Sequence, residues 1–267
     1  MKNPVQKRSA HTGMTLVELL VVIAIIVVLI SLLVPGLNKA KEMAEAAKNS
    51  ANLKQIATAT INWAADNNSR LPSPQYPGGM EPPAGVNPDD FFPKYYNLGE
   101  SGLWLDGVIF GELYLRENKE GEATSYNVTE DGEHLKGTLF ESTVSVKTNP
   151  QEEDWHKHSY AMNANLQYDR IYDQVASPDP FLTEKTLSNL LFSPNAMLYI
   201  DCNESNIVKF DERQLLIDTI EERWGGGKLI AAFLDGHVER LSENQIPDQD
   251  PEFDRESSRF WRGVDPK

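Results

Sequence analysis

The chain has 267 residues, a formal net charge of −15 and one cysteine. Residues 1–13 carry three bases and no acid, residues 14–67 carry four of each, and residues 68–267 carry 36 acids against 18 bases, a net charge of −18. Such an acidic body repels phosphate backbones, which argues against a nucleic-acid partner. The single cysteine, Cys202, excludes an internal disulfide, so the acidic body depends on its core for stability.

The first predicted element is a membrane-spanning helix. Residues 14–34 are 21 apolar or small residues interrupted only by Glu18. At 1.5 Å per residue, a helix of this length spans about 30 Å, which matches the hydrocarbon core of a bilayer. Lys2, Lys7 and Arg8 precede it, so the positive-inside rule predicts a cytoplasmic N-terminus and an external body.

Two other interpretations of this segment fit less well. A secretory signal peptide has an apolar region of about 7–15 residues and a small-x-small cleavage site, whereas this run is longer and ends in Val34-Pro35-Gly36. A plain membrane anchor has no use for Glu18, because a carboxylate near the bilayer centre costs about 2.5–3.5 kcal/mol, and somewhat less one turn from the end. An acid in this position predicts a partner group, such as an amino group on a neighbouring chain.

The string Thr12-Gly13-Met14-Thr15-Leu16-Val17-Glu18-Leu19-Leu20 resembles the class III signal of type IV prepilins and type II secretion pseudopilins. The resemblance implies that a prepilin peptidase cleaves after Gly13 and methylates the new N-terminus at Met14, where the family usually has Phe. It also implies that Glu18 pairs with the N-terminus of an adjacent subunit and sets the register of assembly.

Pro35 and Gly36 follow the apolar run. Proline removes a helical hydrogen bond and glycine loosens the backbone, so Pro35-Gly36 resembles the hinge at which pilin helices bend or melt during packing. The alternative is that the helix ends there on leaving the membrane. Helical periodicity resumes afterwards and predicts one stalk helix over residues 14–67. Its expected apolar stripe comprises Leu37, Ala40, Ala44, Ala47, Ala51, Ile56, Ala57, Thr60, Ile61 and Ala64.

The remaining chain predicts a sheet-rich head. Seven prolines between Leu71 and Pro93 predict an extended loop over residues 68–100, followed by a globular head over 101–246 and an extended tail over 247–267. Residues 211–220 fit a helix or a strand. The fold class is therefore α+β and pilin-like, with the long helix packed on a mainly antiparallel sheet. The predicted strands are Gly102–Phe110, His134–Phe140, Ser159–Met162, Ala196–Ile200, Leu229–Leu234 and Val238–Leu241.

Asp235-Gly236 lies between two apolar runs, and Asp-Gly is a preferred hairpin turn. The surrounding phrase Phe233–Val238, together with Ser159–Asn163 upstream and Phe192-Ser193-Pro194 before Tyr199-Ile200-Asp201, resembles the C-terminal H-x9-DG domain of pilin-like proteins. The histidine that names this motif is missing, since Gly225 stands ten residues before Asp235. The role of that histidine in the family therefore does not extend to this chain.

Asp201, Asn203 and Glu204 offer several oxygens in a short segment, and hard cations such as Ca²⁺ prefer oxygen ligands. The segment lacks the spacing and glycine of an EF-hand loop, so a solvated turn is the default interpretation. Some type II secretion pseudopilins bind calcium in a late loop, which makes calcium the one cofactor to consider. Otherwise no cofactor is predicted.

The expected function is that of a non-enzymatic subunit of a type IV pilus-like or type II secretion filament. The expected partners are other pilin-like subunits, prepilin peptidase, an inner-membrane assembly platform and membrane lipid, with no nucleic acid. The expected location is the bacterial inner membrane, crossed once, with the head periplasmic or extracellular. The alternative is a filament-displayed or envelope-anchored protein that binds a secreted substrate or a surface glycan. A membrane-anchored hydrolase ranks far behind, because no nucleophile motif is present.

Overall fold

The computed structural model of the chain describes residues 16–67, 69, 71–72, 109, 113, 116–117, 123–124, 138–140, 160–166, 194–202, 205, 207–224 and 227–266. It divides into two compact units, Met1–Glu45 and Ala46–Lys267, with the boundary inside the first helix. The described strands all lie in the second unit.

Helix α1 runs over Leu16–Asp66 and contains Pro35 in its interior. The prediction of one continuous helix is confirmed over these residues, and the alternative of a helix ending at Pro35 is wrong. Within the second unit, α1 buries Ala46, Asn49, Asn52, Leu53, Ile56, Ala57, Thr60 and Ala64. The helix ends at Asn67, whose backbone N–H donates to the carbonyls of Trp63 and Ala64 and whose side chain donates to Trp63 O.

The buried face of α1 differs from the predicted stripe over its first half. Leu37, Ala40, Ala44, Ala47 and Ala51 are exposed, whereas Asn49 and Asn52 are buried. Alanine contributes little apolar area, so a run of alanines does not decide which face of a helix is buried. The prediction is correct from Ile56 onward, where larger apolar side chains recur at helical spacing and contact the sheet.

The head contains a five-stranded sheet in the order β5-β3-β4-β6-β7. Its strands are β3 (Tyr160–Asn163), β4 (Met197–Asp201), β5 (Ile207–Val208), β6 (Leu229–Phe233) and β7 (Val238–Leu241), and a separate two-stranded sheet pairs β1 (Arg116–Glu117) with β2 (Ala123–Thr124). Strand β3 pairs parallel with β5, and the other three neighbouring pairs are antiparallel. The α+β class and the mainly antiparallel sheet are therefore confirmed.

Four predicted strands are found within a residue or two of their predicted bounds, and two predictions are not. Ile109, the one described residue of the predicted strand Gly102–Phe110, is helical, and residues 138–140 of His134–Phe140 form a bend and turn. Short apolar runs do not distinguish buried helix or turn from strand. The ambiguous segment 211–220 is helical: a short 3-10 helix over Phe210–Glu212 leads into α2, Arg213–Trp224.

Alternation along the strands defines two faces of the sheet. Met162 pairs with Tyr199, and the Tyr199 hydroxyl lies 2.8 Å from Thr60 Oγ1 on α1, so this face is covered by the stalk helix. Asn163, the next residue, points to the opposite face and donates to the carbonyl of Trp261 at 2.9 Å. The C-terminal residues therefore cover the second face.

The prediction of an extended tail over residues 247–267 is wrong for part of the segment. Residues Arg255–Arg262 form helix α3, which begins at Asp254, whose carboxylate accepts from Ser257 N at 2.8 Å. It ends at Gly263 in the left-handed conformation, a common helix stop. Trp261 is fully buried and Phe260 nearly so, which shows that both side chains pack into the head. The proline-punctuated sequence hid a helix of only eight residues, whose apolar pair anchors it.

Candidate functional site

The N-terminal part of α1 exposes an apolar surface on all sides. Every residue from Leu16 to Val34 is exposed, including the sixteen large aliphatic side chains of the segment. The richest 18-residue window of α1 has a mean hydropathy of 3.3 and is 0% buried, and among the described residues α1 is the one helix long and apolar enough to cross a membrane. Such a surface needs lipid or other protein chains around it.

Glu18 lies in the first turn of α1, between exposed apolar neighbours. An acid at a helix N-terminus is stabilised by the positive end of the helix dipole. The predicted processing residues Gly13 and Met14 lie outside the described residues, so the cleavage site stays a prediction. Glu18, Pro35 and Gly36 thus occupy one helix, with the acid at its start and the hinge pair directly after the apolar run.

Pro35-Gly36 is the weak point of α1 by composition. Proline in a helix interior costs about 3 kcal/mol relative to alanine, and glycine about 1 kcal/mol. A Cβ added at Gly36 would meet no atom within 4 Å in the described part of the chain, so no close packing there accounts for the glycine. Hinge function stays a prediction, which these two intrinsic costs support.

The Asp235-Gly236 motif forms the hairpin that joins β6 to β7. Phe233 N donates to His237 O at 2.9 Å, Gly236 N donates to Phe233 O at 2.9 Å, and Gly236 has φ +85°. This is a three-residue loop in which glycine supplies the left-handed position. An added Cβ at Gly236 would lie 4.0 Å from Ile61 Cδ1, so the turn sits close to α1.

Asp235 also fixes the turn electrostatically. Partial burial raises the pKa of its carboxyl, but hydrogen bonds from His237 outweigh this and hold the pKa below 3.8. The backbone N–H of His237 donates to Asp235 Oδ1 at 3.0 Å, and the ring Nδ1 lies 2.6 Å from the same oxygen. The His237 ring stacks on Phe233 with centroids 4.4 Å apart. The motif residues therefore stabilise a turn.

Asn163 connects three parts of the head, a role that sequence reasoning did not assign. Its Nδ2 donates to Met197 O at 2.8 Å and to Trp261 O at 2.9 Å, and its Oδ1 accepts from Asn165 N at 3.0 Å. One buried amide thus joins β3 to β4 and to α3. The sequence feature that could have indicated this role is the position of Asn163, a polar residue directly after the apolar run Tyr160–Met162.

Asp201, the first of the predicted calcium ligands, is fully buried at the end of β4, and its Oδ2 accepts from Ile230 N at 2.9 Å. Its carboxylate therefore forms a hydrogen bond within the sheet. Asn203 and Glu204 lie outside the described residues. Among the described residues no group of three or more His, Cys, Asp and Glu side chains is placed to hold a metal ion. Calcium binding stays a prediction.

The head also has a groove of about 630 Å³ between β7 and α3. Glu239 and Leu241 of β7 form one wall, and Arg255 and Arg259 of α3 form the other. Both arginines donate through Nε to Asp265 Oδ1, at 3.0 and 2.8 Å. These hydrogen bonds, that of Arg259 first, lower the pKa of Asp265 below 3.8 despite its exposure.

The geometry defines an α+β protein with a long apolar N-terminal helix of the membrane-anchor type. Residues 8–34 match the family model described as the prokaryotic N-terminal methylation motif. This motif at the start of the long apolar helix supports a type IV pilin-like or pseudopilin-like protein, and it indicates a substrate of prepilin peptidase. No curated protein and no solved structure matches the chain.

The two lowered aspartate pKa values give the head a defined acid sensitivity. A carboxylate whose folded pKa is depressed contributes stability that is present above its unfolded value and lost as pH falls through the folded value. We therefore expect the thermal midpoint of the head to be steady near neutral pH and to fall below about pH 4. Melting curves of the detergent-solubilised protein, followed by near-ultraviolet circular dichroism, would measure this. The double variant Asp235→Asn, Asp265→Asn should show a shallower acid decline, and an unchanged slope would contradict the assignment.

Proposed function

We propose that the chain is a structural, non-enzymatic subunit of a filament of the type IV pilus or type II secretion pseudopilus kind. The observation that carries the proposal is the methylation motif at residues 8–34, followed by a continuous helix whose apolar residues are exposed on every side. In a membrane this surface contacts lipid. In a filament the same surface contacts the helices of neighbouring subunits.

The proposed maturation removes residues 1–13 and changes the charge around the apolar segment. Cleavage after Gly13 removes three basic residues, and the N-methylated amine of Met14 stays cationic. Glu18 is then the fifth residue of the mature chain. The basic residues favour a cytoplasmic N-terminus before cleavage. Afterwards the amine of one subunit and Glu18 of another form an ion pair in apolar surroundings, where an unpaired carboxylate is costly. The expected location is thus the inner membrane, with the head outside it.

The experiment that tests this proposal is intact-mass analysis of the membrane-extracted protein from cells with and without active prepilin peptidase. With the peptidase, the expected chain begins at Met14 and carries one additional methyl group. Without it, residues 1–13 are retained. Retention of residues 1–13 in the presence of active peptidase would falsify the proposed maturation, and electron microscopy of sheared material then tests filament formation separately.

A displayed binding protein is the second candidate, and the groove between β7 and α3 supports it. Its volume lies within the range of small-ligand sites, about 300–1,000 Å³. Asn195, Asn244 and Gln245 contribute amide groups to its rim, and Phe233 and Phe260 contribute apolar surface. Such mixed lining suits a polyhydroxylated ligand such as a surface glycan. The filament role remains the leading proposal because the groove carries no motif of its own.

A further inference from the structure

Phe253 is the one large apolar side chain of the described head that is exposed, with 82% of its surface accessible. The other exposed large apolar side chains of the described chain all lie between Leu16 and Met43 on α1. A single exposed apolar residue is common on protein surfaces. Phe253 differs because the loop that carries it is held rigidly and is strongly charged.

Three side chains of α3 hold the loop before Phe253 by its carbonyl groups. Trp261 Nε1 donates to Pro247 O at 3.3 Å, Ser257 Oγ donates to Gln249 O at 2.5 Å, and Arg262 Nη1 donates to Pro251 O at 3.2 Å. Phe253 N and Asp254 N both donate to Asp250 O, at 3.0 and 2.9 Å. Phe253 is therefore presented on a preorganised turn, which lowers the entropy cost of inserting it into a partner.

The charge around Phe253 restricts its partner. Residues 248–256 contain five acids and one base, a net charge of −4, on a head that is itself strongly acidic. Two such heads repel each other, so contact between the Phe253 turns of two copies is unfavourable. The surface that accepts Phe253 must instead combine exposed apolar side chains with positive charge.

In the part of the chain that the structure describes, residues 35–54 have this combination. Residues 35–54 of α1 contain four lysines and two glutamates, a net charge of +2. Leu37 and Met43 are 64% and 68% exposed there. Helical spacing places both beside the side that carries Ala40, Ala44 and Ala47, which leave space next to them. The exposed side chains of Lys39, Lys41 and Lys48 flank this surface.

We propose that Phe253 of one subunit docks on the Leu37–Met43 surface of a second copy of this chain, with the acidic turn facing the flanking lysines. This inference rests on the proposed filament function. The two surfaces are different parts of the chain, so the contact is heterologous: each subunit uses its turn toward one neighbour and its stalk toward another. A contact of this kind propagates along an open filament.

Cysteine cross-linking of assembled filaments tests this contact. The double variant Met43→Cys, Phe253→Cys places thiols on the two surfaces, while the native Cys202 is buried and stays unreactive. A disulfide needs Cα atoms within about 7 Å. Mild oxidation is expected to produce a covalent ladder of dimers, trimers and higher species, because each subunit has two different neighbours. Each single-cysteine variant is expected to remain monomeric on a denaturing gel.

The matched control is Met43→Cys, Asp211→Cys, which moves the head cysteine to another exposed position. Filaments that assemble normally but form no more ladder with Phe253→Cys than with Asp211→Cys overturn the inference and leave the filament proposal intact. A wild-type protein that is processed but forms no filament contradicts the filament proposal itself. The two failures are therefore distinguishable.

If the introduced thiols disturb assembly, the filament yield of a second variant tests the contact independently. Phe253→Ser is expected to reduce filament yield on the order of tenfold or more, as removal of an aromatic interface anchor does, while the melting temperature of the detergent-solubilised subunit is unchanged. Phe253→Leu is expected to retain most of the yield. Wild-type yield from Phe253→Ser, or lowered membrane association of the unassembled subunit, overturns the inference.

Discussion

Glu18→Gln is expected to abolish incorporation into filaments while leaving peptidase cleavage and membrane insertion intact. Glu18 lies in the first turn of an exposed apolar helix, where its charge has a use only if it is paired. Removing one partner of an ion pair in apolar surroundings costs about 3–5 kcal/mol, which lowers the affinity for each neighbour by a factor of about 10² to 4 × 10³. The glutamine variant is also more apolar, so the unassembled subunit should remain in the membrane.

The measurement is the amount of mature subunit in sheared filaments relative to the membrane fraction, with intact mass reporting cleavage. Glu42→Gln is the matched control, because Glu42 is an exposed glutamate on the same helix beyond the apolar segment. It is expected to assemble nearly normally. Equal filament yields from Glu18→Gln and the wild type would show that Glu18 does not govern assembly.

Trp261→Ala is expected to lower the free energy of unfolding of the head by about 3–5 kcal/mol, the usual cost of truncating a buried aromatic residue. Trp261 is 0% exposed and contacts Phe210 and Phe260 edge to face, at centroid distances of 6.1 and 5.2 Å. Its backbone carbonyl accepts from Asn163, and its indole N–H holds the turn at Pro247. The substitution therefore removes the anchor that keeps α3 on the sheet.

Chemical denaturation of the detergent-solubilised protein, followed by tryptophan fluorescence and circular dichroism, measures this loss. Phe253→Ala serves as the control, because it truncates an aromatic residue of the same segment that is exposed, and it should change stability by less than about 0.5 kcal/mol. If Trp261→Ala and Phe253→Ala have similar stability, the C-terminal helix is not part of the cooperative head.

The features predicted correctly from sequence are those encoded locally. The apolar run over residues 16–34, interrupted only by Glu18, predicts the anchor helix, because crossing a membrane depends on the length and composition of a segment. Strands β3, β4, β6 and β7 were found from short apolar runs bounded by turn residues, and Asp235-Gly236 was found from the backbone freedom of glycine. Each signal lies within a few consecutive residues.

The features that were missed depend on partners distant in sequence. The exposure of Ala47 and Ala51 and the burial of Asn49 and Asn52 follow from where the head contacts α1, which alanine periodicity does not report. The two-residue strand β5 exists only because β3 offers a parallel edge. Helix α3 forms because Trp261 and Phe260 are buried, although it is short and follows a stretch that reads as a loop.

The sequence by itself therefore supports the class of protein through a methylation motif, an acid in the apolar segment and a proline-glycine pair on one helix, each identifiable without a partner. Tertiary structure alone decided which motif residues serve the fold. Asp201 is a calcium-ligand candidate from sequence, yet its carboxylate accepts from a backbone N–H of the head. Asn163 donates to backbone carbonyls, and Asp235 accepts from the backbone N–H of His237 and lies against its ring. Buried polar groups must be hydrogen-bonded, and only the fold specifies with what.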